Sequence, residues 1–304
     1  MLTYLILCGG LLGLFLGGDL LVRGASAIAV RLGMSPMVIG LTIVGFGTST
    51  PELLVSLNAA LNGQSGIAIG NVVGSNIANL LLILGLAALI APVESRFQDN
   101  RGDLFWMCGA VIILPVLFYS GHIGRIEGFV LALGLVSYLV LRLRGARDGE
   151  LTVDAAPLWR SLLITALGLA AVMAGAHYLV QSATIIARDW GVSEAMIGLS
   201  IVAIGTSLPE LATTCVAAFR GQRDIALGNV IGSNIFNVLG ILGITALIAP
   251  IPVDARFLTL DTPFVIAVSL IILALIAWRN GFGRIVGLAM LATYAGYIAY
   301  SAMI

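Results

Sequence analysis

Apolar blocks of about 20 residues or more recur from Leu2 to Ile304, and a bilayer-spanning helix needs about that length. Only 10% of the 304 residues are charged and the mean hydropathy is +1.09, so a water-soluble fold is excluded. Backbone groups in lipid must be satisfied within the protein, which leaves helices or a closed barrel. Barrel strands alternate in polarity along short segments. These blocks are too long and too continuously apolar for that, so the chain is read as an all-α integral membrane protein.

Polar breaks divide it into ten transmembrane helices, over 2–30, 36–61, 66–90, 103–119, 125–143, 158–187, 194–219, 225–249, 260–278 and 284–302. Every basic residue is Arg, and the cytoplasmic connections of a membrane protein are the Arg-rich ones. With the N-terminus outside, the inner connections hold 11 arginines and the outer ones 3. The chain is therefore expected to be multi-pass in the plasma (inner) membrane, with both termini outside the cytoplasm. The first apolar block lacks a basic leader and is read as a retained span. The formal net charge of +0 gives no reason to expect a nucleic-acid partner.

The chain also repeats itself. GLTIVGFGTSTPELL from Gly40 matches GLSIVAIGTSLPELA from Gly198, and GNVVGSNIANLLLILG from Gly70 matches GNVIGSNIFNVLGILG from Gly228. The offset is 158 residues without a gap, and 33 of the 53 aligned positions from Gly40 to Pro92 are identical. Each copy holds five helices, an odd number, so the second enters the membrane from the opposite side. The expected organisation is a first inverted repeat over 1–143, a short cytoplasmic linker over 144–157, and a second repeat over 158–304. In transporters so built, the substrate site lies near mid-membrane between the repeats.

Glu52 and Glu210 occupy equivalent places deep inside apolar blocks. A charge at the bilayer centre costs at least about 2.5–3.5 kcal/mol, and such residues mark ion paths. No Lys or Arg lies near either acid in its own helix. A bound cation would compensate the charge; protonation is the competing answer, and a neutral hydrogen-bonded Glu pair the purely structural one. Pro51 and Pro209 precede the acids and clash with the carbonyls of Gly47 and Gly205, so both helices should kink there and free hard oxygen ligands. Gly45, Thr48 or Ser49, and Glu52 share one helix face, and Ala203, Thr206 or Ser207, and Glu210 repeat it. Asn71, Ser75 and Asn79 form a stripe on the next helix, matched by Asn229, Ser233 and Asn237; interhelical hydrogen bonding is the plainer role for these amides. Asp19 and Arg23, four residues apart, read as an interfacial ion pair, replaced in the second repeat by His177 and Gln181. Cys8, Cys108 and Cys215 lie at no metal-ligand spacing, and no nucleophile–base pair suggests an enzyme.

GTSTPEL and GTSLPEL, each followed by GNVxGSN, resemble the alpha repeats of the calcium/cation antiporter superfamily, most closely prokaryotic sodium/calcium exchangers. The resemblance covers essentially the whole chain. It implies a ten-helix fold with cation sites between the repeats, formed here by Thr48, Ser49, Glu52, Ser75 and Asn79 with Thr206, Ser207, Glu210, Ser233 and Asn237. The carbonyls of Gly45 and Ala203 are further candidates. It also implies that the first and sixth helices slide across the core during alternating access. Some relatives carry an acid where Asn237 stands, a feature associated with K+ dependence, so K+-independent exchange is expected. The implied function is Na+/Ca2+ antiport, with H+/Ca2+ exchange and a cation channel as rivals. Na+ and Ca2+ bind as substrates, and neither a cofactor nor an obligate protein partner is expected.

Overall fold

The computed structural model of the chain describes residues 2–144, 157–191, 203–301 and 303. Within these, α1 is Leu2–Leu32, α2 Pro36–Thr48, α3 Thr50–Leu61, α4 Ser65–Ile90, α5 Phe97–Phe118 and α6 Arg125–Arg144. Then come α7 Leu158–Asp189, α8 Ala203–Gly205, α9 Leu208–Phe219, α10 Arg223–Ile248, α11 Phe257–Arg279 and α12 Arg284–Ser301.

Among the described residues, seven helices are long and apolar enough to cross a membrane, and an eighth if α2 and α3 form one span bent by 43°. The sequence gives reason to expect ten. The difference has physical causes. The expected helix over 194–219 is broken near Gly205, and its start lies outside the described residues, as do residues 145–156 of the expected linker. The helix expected over 284–302 forms as α12, but its 18 residues include Arg284, Thr293, Ser301 and three tyrosines, which lower its apolar character.

Local chemistry sets the breaks. Ser35 caps α2, its hydroxyl accepting from the Val38 amide at 3.3 Å, with Pro36 in the first turn. The helix stops at Thr48, turns at Ser49 and restarts with Pro51 in the first turn of α3. In the other half α8 ends at Gly205, the chain turns at Thr206 and Ser207, and α9 restarts with Pro209 in its first turn. The kinks expected from Gly47–Pro51 and Gly205–Pro209 are therefore present. Gly63 and Gly221 follow α3 and α9 with φ of +72° and +70°, left-handed conformations that glycine adopts without penalty. Wider π-type turns run over Ala78–Ile83 in α4 and Phe236–Leu242 in α10, a distortion often found at functional sites.

Helices α4 and α10 form the centre, 72% and 83% buried over their most apolar windows, against 39% for α1 and 28% for α7. Helices α1 and α7 lie together at the periphery along a glycine seam. A side chain at Gly17 would meet the Val172 amide nitrogen at 2.6 Å, and one at Gly168 the Leu21 nitrogen at 2.4 Å. The two backbones therefore touch. Gly228 and Gly232 of α10 approach α2 in the same way: a side chain at Gly228 would meet the Met37 carbonyl at 2.6 Å, and one at Gly232 that of Leu41 at 2.3 Å. The two glycines thus let the backbones of α10 and α2 touch. The stretch equivalent to 37–41 in the other half, 195–199, lies outside the described residues, and a side chain at Gly74 would meet none of the described residues within 4 Å.

Two short antiparallel pairs tie the connections together. Strand β1 (Val93–Glu94) pairs with β4 (Gly281–Phe282), and β2 (His122–Ile123) with β3 (Ile251–Pro252). Each pair joins one strand from each half of the chain. His122 is exposed.

Candidate functional site

The two breaks bring the candidate ligands to one place. Thr48, Ser49 and Glu52 surround the α2–α3 turn, and Thr206, Ser207 and Glu210 the α8–α9 turn. Each half then hydrogen-bonds the other. Ser49 Oγ donates to Glu210 Oε1 at 2.7 Å, and Ser207 Oγ lies 3.5 Å from Glu52 Oε1. Thr48 Oγ1 donates to Asn229 Oδ1 at 3.2 Å, and Thr206 Oγ1 to Asn71 Oδ1 at 3.3 Å. Every one of these contacts has its counterpart 158 residues away. Glu52 and Glu210 are both 1% exposed, so both carboxylates lie sealed within the protein.

The stripes on α4 and α10 divide into two roles. Asn71 Nδ2 donates to the Glu52 carbonyl at 3.0 Å and to Ser56 Oγ at 2.8 Å. Asn229 Nδ2 donates to the Glu210 carbonyl at 3.3 Å and to Thr214 Oγ1 at 2.8 Å. These two amides brace the first turn of α3 and of α9 while accepting from the threonines opposite, which is the plainer role their spacing allowed. Asn76 and Asn234 also serve packing: Asn76 Nδ2 donates to the Asn234 carbonyl at 3.4 Å, and Asn234 Nδ2 to the Val230 carbonyl at 2.7 Å. Asn237 Nδ2 donates to Asn76 Oδ1 at 3.0 Å, which fixes the orientation of the Asn237 amide.

What remains is a set of oxygens. Glu52 Oε2, Glu210 Oε2, Asn79 Oδ1 and Asn237 Oδ1 are buried and accept no hydrogen bond from the described residues. A buried acceptor without a partner costs about 1–3 kcal/mol, more when charged. Two stand on each half at positions equivalent in the repeat, and together they could accept a positive ligand. Carboxylate, carboxamide and hydroxyl oxygens are the hard donors that Ca2+ and Na+ prefer. Ser75 and Ser233 are buried beside them; Ser233 Oγ donates to the Gly45 carbonyl at 3.3 Å, bringing that carbonyl to the same region. Of Ala203 only the backbone, at the start of α8, is described. No group of three His, Cys, Asp or Glu side chains able to hold a metal occurs among the described residues, so the set resembles no zinc-type centre. The three cysteines are free.

Sequence reasoning missed several supporting groups. Ser56 and Thr214 anchor the bracing amides. Two further acids, Asp103 and Asp261, are buried away from the site. Tyr138 donates to Asp103 at 3.0 Å and Arg142 pairs with it; Tyr297 donates to Asp261 at 2.8 Å, with Arg256 Nε at 3.4 Å. The acids lie 158 residues apart and the tyrosines 159, so the repeat offset carried over α5, α6, α11 and α12 would have found them. Asp19, expected to pair with Arg23, does so at 2.9 Å and pairs also with Arg220.

Comparison with known proteins agrees with this architecture. The family described as "Sodium/calcium exchanger protein" matches residues 2–144 and 160–303. The chain is 37% identical to the inner membrane protein YrbG of Escherichia coli K12, covering 100% of this chain and 97% of that one. It is 34% identical to the sodium/calcium exchanger MaX1 of Methanosarcina acetivorans, with 97% of each covered. Among solved structures, the sodium-calcium exchanger NCX_Mj superposes with a TM-score of 0.89 at 33% identity, over 98% of both chains. This chain belongs to the sodium/calcium exchanger protein family.

Proposed function

We propose that the chain is a secondary active antiporter that exchanges Na+ for Ca2+ by alternating access. The observation that carries this reading is the set of four buried, unpartnered acceptor oxygens on Glu52, Glu210, Asn79 and Asn237. They form a donor set for a cation with no Arg or Lys among their hydrogen-bond partners. Thr48, Ser49, Ser75, Thr206, Ser207 and Ser233, with the carbonyls of Gly45 and Ala203, complete the ligand pool.

Two carboxylates balance one Ca2+ or two Na+, so the two ions compete for one anionic core, and exchange is ping-pong. Amides at both 79 and 237 leave the core without a third acid, in keeping with K+-independent exchange. The chain spans the membrane ten times as two inverted five-helix halves, 1–143 and 158–304, with 144–157 as the linker. The reciprocal hydrogen bonds, related by the 158-residue offset, and the strand pairs that cross between the halves support that organisation. The Arg distribution supports an inner-membrane setting with both termini outside. The backbone seam makes α1 and α7 one body that moves against the core when the core's charge is neutralised. The ions are substrates, no cofactor takes part, and the protein acts as a carrier rather than an enzyme.

Calcium uptake by purified protein in liposomes tests this, with Na+, K+ and H+ gradients imposed one at a time. An outward Na+ gradient should drive uptake alone. Uptake driven by a pH gradient without Na+ would establish H+/Ca2+ exchange instead, and non-saturating flux without counter-transport would establish a channel.

A further inference from the structure

The ion cage is symmetric, but the contacts of the α1–α7 pair with the rest of the molecule are not. Helix α1 packs along α9, with Gly18 so close that a side chain there would meet Val216 Cγ2 at 3.2 Å and the Ala212 carbonyl at 3.5 Å. The related contact in the other half would set α7 against α3, and those helices are not packed in that way. A cavity of about 350 Å3 lies there instead, lined by Pro51, Ala176, His177, Gln181, Thr206 and Pro209. Ala176 is the counterpart of Gly18. The cavity reaches the prolines ahead of both glutamates and one of the candidate ligands.

The charges follow the same division. On the closed side Asp19, its side chain 14% exposed, pairs with Arg23 on its own helix and with Arg220 just after α9. At the matching positions of the other half stand His177, Gln181 and Asn62, and the Asn62 amide turns back to Asn58 Oδ1 at 2.7 Å. A cross-helix ion pair therefore closes one side only.

We propose that Asp19 and Arg220 are positioning residues that hold α1 on α9, and so bias the carrier toward the state in which the cavity beside His177 and Gln181 leads to the ion cage. This rests on the antiporter reading above. Arg23, on the same helix as Asp19, tempers the charge without tying two elements together. Exposed and half-exposed ion pairs shift equilibria by at most about fivefold. The effect is therefore best read from the rarer state, which opens the α1–α9 side.

The test places a thiol at that seam. Val216→Cys is made in a protein whose Cys8, Cys108 and Cys215 are replaced by Ala, and its reaction with a water-soluble maleimide is timed in detergent. Asp19→Asn and Arg220→Gln should each speed labelling about two- to fivefold. Arg220→Lys should keep it slow, and Arg23→Gln should not speed it. In liposomes the two accelerating variants should also shift the half-saturating Ca2+ concentration in opposite directions on the two faces, which a purely structural role would not do. Should Val216→Cys distort the seam, Ala176→Cys reports the other side, where the same variants should slow labelling. Unchanged rates at both thiols would overturn the proposal. Altered rates in a protein that performs no Na+/Ca2+ counter-transport would leave the ion pair's role standing and remove the exchanger.

Discussion

The candidate cation site and the outer contacts of the two halves have diverged to different degrees. Around the glutamates each hydrogen bond has its twin: 3.2 and 3.3 Å from threonine to asparagine, 2.8 and 2.8 Å from asparagine to the bracing hydroxyl. Away from the cage, Asp19, Arg23 and Arg220 correspond to His177, Gln181 and Asn62, and the buried acids recruit arginines from unrelated positions, Arg142 and Arg256. On the proposed mechanism a cation held between the two halves would see both equally, which would keep its ligands alike. Nothing requires the two faces of the membrane to be alike, so the contacts that set which face is open are free to differ.

The largest effect should come from breaking the cage on either side. Glu52→Gln and Glu210→Gln should each abolish Na+-driven Ca2+ uptake, since either leaves one formal negative charge for a divalent ion. Normal uptake by both would remove the glutamates from the exchange step, and a difference between the two would end the equivalence. Next, Asn71→Ala and Asn229→Ala should weaken apparent Ca2+ affinity by similar factors, about tenfold each, because each loosens the turn that presents a glutamate. Ca2+ titration of uptake would reveal a difference.

The buried acid clusters should then separate the halves. Arg142 is 25% exposed and Arg256 40% exposed, and Arg142 sits nearer its acid. Asp103→Asn should destabilise the protein by about 2 kcal/mol and Asp261→Asn by about 1 kcal/mol, compared by thermal unfolding in detergent. Smallest of all is Arg223, paired with Glu94 but with side chains 38% and 68% exposed; Arg223→Gln should leave the unfolding temperature nearly unchanged.

Much of this was legible in the sequence because of the repeat. Glu52 and Glu210 stood out through their depth in apolar blocks, and Pro51 and Pro209 located the helix breaks. The offset then transferred every ligand from one half to the other. The less legible features depend on contacts between distant stretches. Nothing in the neighbourhood of Asp19 announces Arg220, and the division of the asparagines into bracing amides and amides with an unpartnered oxygen is decided by which nitrogen finds a carbonyl. The π-type turns at Asn79 and Asn237 leave no local signature either. The helix count was harder because breaking a span for function shortens its pieces.

The crossed strand pairs bear on how the protein is made. Val93 and Glu94 find their partners only at Phe282 and Gly281, in the second half of the chain. The early half must wait in the bilayer with that edge unmatched. A chain that stopped before Gly281 would leave Val93 and Glu94 without partners, whereas two co-expressed fragments divided between residues 144 and 157 retain all four described strands.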